Sequence, residues 1–194
     1  MANIVIAYHS GYHHTEAVAL EVAKGAESAG ATVIVHNVEN PVDRLWNDLA
    51  AADAIIFGCP TYMGSSSGVF KKFMDETSKP WAKQEWKDKL AAGFTNSGSL
   101  SGDKMVTLTQ LAALAAQHGM IWAGTGVLSG TKDESGNNIN RLGSWLGLMT
   151  QSDNAPADQT PPQDDRAAAR AFGSRIAHLA ARWVAGKTSL SQAA

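Results

Sequence analysis

Short, nearly continuous apolar runs alternate with helix-period faces along this 194-residue chain, and few folds accommodate that alternation. The runs are Asn3 to Tyr8, Thr32 to Val38, Ala54 to Gly58, Leu90 to Thr95 and Met120 to Gly124. Each is apolar at successive rather than alternate positions, as strands buried on both faces of a parallel sheet are. Between them, Thr15 to Ser28 places Val18, Val22 and Ala26 on one face, and Asp103 to His118 does the same with Met105, Leu108, Leu111, Ala112 and Ala115. Gly30 and Gly119 read as the glycines that end these two helices. A shorter helix covers Asp43 to Ala51, and Val69, Phe70, Phe73, Met74 and Thr77 mark another. With right-handed crossovers this order predicts a doubly wound α/β sheet of five parallel strands, helices on both faces, and a ligand beyond the strands' carboxyl ends.

The last helix carries its own start signal. Thr160-Pro161-Pro162-Gln163 reads as an N-cap followed by a capping-box glutamine, with Asp164 and Asp165 favourably placed against the helix dipole. Phe172, Ile176, Leu179, Ala180 and Trp183 line one face, Gly186 reads as the stop, and 187–194 reads as a disordered tail. One domain over 1–186 is therefore expected. From Leu128 to Gln163 the pattern dissolves into Gly, Ser, Asn, Asp and Pro around an apolar island at Leu142 to Met149. A stretch that long reads as an excursion that closes over a site or meets another subunit.

Charge and cysteine content narrow the function classes. The net charge is -2 and no window concentrates lysine and arginine, so a nucleic-acid partner is not expected. No apolar stretch is long enough to span a bilayer, and the N-terminus shows no secretory signal, which predicts a cytoplasmic protein with no membrane role. The single cysteine, Cys59, excludes an internal disulfide and any multi-cysteine metal site; it reads as a small packed residue.

Three loops fall where a ligand is expected. The first holds Ser10, Gly11, Tyr12, His13, His14 and Thr15 at a helix start, where hydroxyls and backbone N–H groups can wrap a phosphate. Its plainer reading is a turn capped by Thr15. It lacks the lysine of a nucleoside-triphosphate loop, and the dinucleotide glycine pattern is missing. His9 and His13 have metal-pair spacing, which works only on a helix, so no metal is expected. The second loop, with Pro60, Thr61, Tyr62, Met63 and Gly64, suits a flat ring. Its Gly64-Ser65-Ser66-Ser67-Gly68 mimics a nucleophile elbow but sits too far beyond the strand. The third, Asn96, Ser97, Gly98 and Ser99, offers polar groups to a ring edge. A ligand with a phosphate at one end and a planar polar ring at the other is implied, and FMN fits.

These motifs, S-G-Y-H-H-T at Ser10 to Thr15, A-I-I-F-G-C-P-T-Y-M-G at Ala54 to Gly64, F-T-N-S-G-S at Phe94 to Ser99 and H-G-M at His118 to Met120, resemble the flavodoxin-like family. The likeness is to its WrbA-type NAD(P)H:quinone oxidoreductases and NADPH-dependent FMN reductases. The resemblance implies strand order 2-1-3-4-5, with FMN phosphate on Ser10 to Thr15. It places the ring against Pro60 to Gly64 and Asn96 to Ser99, and the substrate mouth at Tyr12, Trp81 and Gln117. It implies hydride transfer from NAD(P)H through FMN to a quinone-like acceptor, with no catalytic side chain, and a homo-oligomer; Trp81, Trp86 and Trp145 are compatible with an interface, though core packing explains tryptophans as readily. Gln117 departs from the family's flavin-side histidine, and the family's insertion after strand two is shortened to Asn40-Pro41-Val42-Asp43. An electron-carrying flavodoxin, or an FMN-binding regulatory protein without turnover, is the alternative.

Overall fold

The computed structural model describes residues 1–193, with side chains except at 188 and 190–193. The elements run β1 (Asn3–Tyr8), α1 (His14–Ser28), β2 (Thr32–Asn37), α2 (Leu45–Ala51), β3 (Ala54–Tyr62), β4 (Ser65–Ser66), α3 (Gly68–Glu76), α4 (Ser78–Ala82), β5 (Leu90–Ser97), α5 (Lys104–Gln117), β6 (Ile121–Trp122), β7 (Leu148–Gln151) and α6 (Gln163–Ala193). The parallel sheet is ordered β2-β1-β3-β5-β6, with β7 also on β5 and the short β4 folded back on β3. The expected order 2-1-3-4-5 is thus present, its fifth position shared by two segments. β6 pairs with Leu90 and Ala91, and β7 with Phe94 to Ser97 farther along the same edge.

The fifth strand is therefore shorter than Met120 to Gly124, because the chain leaves the sheet after Trp122 and returns at Leu148. The two arms of the excursion are tied at its base by Trp122 Nε1 donating to the Leu146 carbonyl (2.7 Å) and Thr125 N donating to that of Trp145 (3.1 Å). Re-entry needs a glycine: a Cβ on Gly147 would lie 2.5 Å from the Gly93 carbonyl oxygen. Within the excursion, polar side chains satisfy the backbone. Asp133 accepts from the N–H groups of Ser135 and Asn137, while Asn140 donates to the carbonyls of Val127 and Ser144.

Two apolar layers cover the sheet. Ile4, Ile6, Ile56 and Phe94 pack under α1 and α6, and Val5, Ile55, Phe57 and Ala91 under the helices α2, α3 and α5. Trp86 is fully buried in the second layer, 6.1 Å from Phe57 and stacked on His118 at 4.2 Å, so it offers nothing to an interface; Trp81 and Trp145 are exposed. α1 and α6 touch through their backbones, since a Cβ on Gly25 would lie 1.9 Å from the Arg170 carbonyl oxygen and one on Gly173 1.9 Å from that of Val22.

Helix ends depart from expectation where side chains are engaged elsewhere. α1 is preceded by His13 in a left-handed conformation, with Thr15 inside the first turn rather than capping it. Thr160 does not cap α6: its hydroxyl accepts from Asp153 N (3.0 Å), and the Pro162 carbonyl accepts from Arg166 N (3.1 Å). Gly30 and Gly119 do follow α1 and α5 with positive φ, 85° and 69°. α6 continues through Gly186 to Ala193, so the expected stop is absent; Ala194, the end of the expected tail, lies outside the described residues. No helix among the described residues is long and apolar enough to cross a membrane.

Candidate functional site

Beyond the carboxyl ends of β1, β3, β5 and β7 lies a cleft of about 620 Å³, within the range of small-molecule sites. Its phosphate end is built by the turn from β1 into α1. The backbone N–H groups of Ser10, Tyr12, His13, His14, Thr15 and Glu16 donate to no other described residue, so the helix start keeps its free donors facing outward. Ser10 Oγ is buried without a hydrogen-bond partner, and buried hydroxyls seldom stay unpaired. Glu16 braces the turn by pairing with His13 Nδ1 (2.6 Å) and accepting from Tyr8 OH (2.9 Å). The His13 contact, helped by Tyr8 and opposed by burial, holds the Glu16 carboxyl below its ordinary pKa. No lysine or arginine lines the cleft. A phosphate monoester held by neutral donors and a helix dipole fits this end, and the unpaired Ser10 hydroxyl is the observation that says so.

The ring end is built by Pro60, Thr61, Tyr62, Asn96, Ser97 and Gly98. Thr61 lines it, but its hydroxyl is engaged with those of Thr95 (2.8 Å) and Thr107 (2.7 Å), binding β3 and β5 to α5. Asn96 accepts through Oδ1 from Thr150 (2.8 Å) and Ser152 (3.1 Å), which leaves its amide NH2 for a ligand. Tyr62 lies across Gly11, where a Cβ would meet its hydroxyl at 2.7 Å. Tyr12 stands edge-on to it, with centroids 6.4 Å apart, and is largely exposed at the mouth.

Some of the expected residues do not line this cleft. Met63 and Gly64 form the two-residue turn joining β3 to β4, both with positive φ, and lie outside the cleft with Met63 fully exposed. Ser99 also lies outside it; its carbonyl is held by Ser97 Oγ and Lys104 Nζ. Trp81 and Gln117 share a different hollow, of about 270 Å³, with Met74, Leu114 and His118. α5 separates the two sites: it starts after the third loop and ends at Gln117 after 14 residues, about 20 Å at the helical rise.

A fourth wall, Ser152 to Ala157, was not singled out residue by residue from the sequence. Its signal was the apolar island ending at Met149, since β7 must finish at the same sheet edge as the other strands. His14 Nε2 donates to the Ala155 carbonyl (2.8 Å), joining this wall to the phosphate turn. Gln151 joins it to the ring loop: Nε2 donates to Gly98 O and to Asp153 Oδ1, both at 2.9 Å. The Arg141–Asp165 pair fixes Gln151 in turn, Arg141 donating to its Oε1 (3.2 Å) and Asp165 accepting from its N–H (2.7 Å). Buried Ser67 accepts from Phe70 N at the start of α3 and pairs with His9 Nδ1 (2.8 Å), so the nucleophile-like motif is a helix cap. Burial pushes the Cys59 thiol up to about 12, the behaviour of a packed residue.

Comparison with known proteins agrees with this geometry. The model of the NADPH-dependent FMN reductase family matches residues 9–134. The chain is 40% identical, over 92% of its length and 97% of the relative, to a protein of Pseudomonas aeruginosa named flavodoxin FldP. It is 31% identical, over 96% and 98%, to an NAD(P)H dehydrogenase (quinone) of Paracoccus denitrificans. A WrbA-like flavodoxin structure from Agrobacterium tumefaciens superposes with a TM-score of 0.75 at 42% identity, covering 94% of this chain and 99% of that one. With its phosphate turn, ring loops and sheet order in place, the chain belongs to the NADPH-dependent FMN reductase family and binds FMN in a flavodoxin-like fold.

Proposed function

We propose that this protein is an oxidoreductase that takes a hydride from NAD(P)H and passes two electrons to a quinone-like acceptor. FMN, when bound, supplies the redox chemistry. The chain supplies anchoring through Ser10 and the amides of the first loop, and ring placement through Pro60, Tyr62, Asn96, Ser97 and Gly98. The observation that carries the reading is the open mouth beside the exposed Tyr12, whose ring can lie against a second flat ring arriving from solvent. Relatives named NAD(P)H dehydrogenase (quinone) support it.

Trp81 and Gln117 reach a substrate only if a second copy brings its hollow to this mouth, so the reading includes a homo-oligomer whose sites are completed between copies. An electron carrier acting between protein partners is the competing reading, and the relative named flavodoxin favours it. Steady-state oxidation of NADH and NADPH by the FMN-loaded protein with benzoquinone separates the two. Donor oxidation dependent on both FMN and quinone is expected. Flavin absorbance that stays unchanged under excess of either donor refutes the enzyme reading.

A further inference from the structure

The fourth wall of the cleft, Ser152 to Ala157, is pinned at its start, its middle and its end. It leaves β7 at the ring end, where Ser152 N donates to the Ser97 carbonyl (3.1 Å) and Ser152 Oγ to Asn96 Oδ1 (3.1 Å). It meets the phosphate turn at Ala155, whose carbonyl accepts from His14 Nε2 (2.8 Å). Farther on, Arg166 of α6 gathers the carbonyls that follow: Nη2 donates to Ala157 O (2.7 Å) and Asp158 O (3.3 Å), and Nε to Pro161 O (2.9 Å). The segment is also closed on itself, with Asp153 N donating to Thr160 Oγ1 (3.0 Å) and Thr160 N to Pro156 O (3.1 Å).

At the phosphate end this wall offers closure rather than binding. Its residues there are Ala155, Pro156 and Ala157, and none has a side-chain donor. The facing turn carries free donors for one phosphate. No lysine or arginine lines the cleft, so a second phosphate joined to the first would be desolvated without a counter-charge, and Asp153 adds negative charge to the same wall. A flavin that ends in a phosphate monoester fits between turn and wall. One whose phosphate continues into a pyrophosphate and an adenosine needs a gap where His14 meets Ala155.

We infer that this wall is a stop at the phosphate end, held by His14 and Arg166, that makes the cleft select FMN over FAD. His14 is then a specificity-determining residue through its bridge to Ala155. Arg166 does not line the cleft, so it is a positioning residue that acts through the wall alone. The inference rests on flavin binding and not on turnover, so failure of the hydride-transfer reading leaves it standing.

The test is calorimetric titration of the apoprotein with FMN and with FAD, on wild type, Arg166→Met, His14→Leu and His14→Gln. Far-UV circular dichroism checks that each is folded. Wild type is expected to bind FMN roughly a hundredfold more tightly than FAD. Arg166→Met and His14→Leu, which each release one anchor, lower that ratio roughly tenfold. His14→Gln, whose amide N–H can take the place of Nε2–H, keeps the wild-type ratio. A histidine that only served the phosphate would instead weaken FMN and FAD alike when replaced by leucine, and Arg166→Met would change neither. A wild type that binds FAD as tightly as FMN overturns the proposal. So does a wild-type ratio in Arg166→Met or His14→Leu, or a glutamine variant as permissive as the leucine one. Should Arg166→Met fail to fold, the contrast between the two His14 variants decides it; should a His14 variant fail, Arg166→Met does.

Discussion

Replacing Ser10 by alanine separates a ligand donor from a structural hydroxyl, because the two roles predict opposite signs. Ser10 Oγ is buried with no partner, so in the apoprotein it carries an uncompensated desolvation cost of about 1–3 kcal/mol. Removing it is expected to stabilise the apoprotein by about 1 kcal/mol, the low end, since the turn can relax. In the complex the same hydroxyl donates to a charged phosphate, a bond worth about 1.5–3 kcal/mol. FMN affinity therefore falls by roughly 10- to 150-fold. Urea unfolding of the apoprotein and fluorescence titration with FMN measure the two quantities on one preparation. A variant that loses apoprotein stability while binding FMN like wild type refutes the placement of phosphate at this turn.

Gly173→Ala is expected to destabilise the protein by about 3 kcal/mol or more: the new methyl would lie 1.9 Å from the Val22 carbonyl oxygen, an overpacking that outweighs the roughly 1 kcal/mol gained in helix propensity. Thermal unfolding reads it. Glu21 couples α1 to α6. Burial raises its pKa, but the hydrogen bonds from Lys24 and Arg170 outweigh burial and hold it below the ordinary carboxylate value. A depressed folded pKa means a contribution present above the unfolded value, about 4.3, and lost as pH falls through the folded one. Glu21→Gln should therefore be less stable than wild type at neutral pH, with a gap in urea midpoint that closes below about pH 4. Trp81→Ala should leave the FMN dissociation constant within about twofold of wild type, because Trp81 lies in the second hollow; a tenfold loss would mean that the two hollows communicate.

Legibility in the sequence followed the physics of each segment. Buried strands announce themselves by continuous apolar runs, and β1 appears with the bounds read from Asn3 to Tyr8. The excursion was opaque because its order comes from polar groups: Asp133, Asn137, Asn140 and Ser144 satisfy one another's backbones, and such residues read as loop in any window. The caps at Thr15 and Thr160 were misplaced for a related reason. A threonine next to a helix satisfies the capping pattern whether or not its hydroxyl is engaged elsewhere, as that of Thr160 is with Asp153. In the cleft, Ser10 to Thr15 and Asn96 to Gly98 were visible as loops at strand ends. Met63 and Gly64 were grouped with them because a two-residue hairpin turn has the same small-residue signature as a ligand loop.

In the proposed function, FMN bound in this cleft accepts a hydride directly from a nicotinamide donor. Anaerobic titration of the FMN-loaded protein with NADH and with NADPH, followed in the visible flavin band, tests it most directly. Complete bleaching at one equivalent of at least one donor is expected, with recovery of the band when a quinone is added. A band that persists under excess of both donors, in a protein that still holds its FMN, contradicts it.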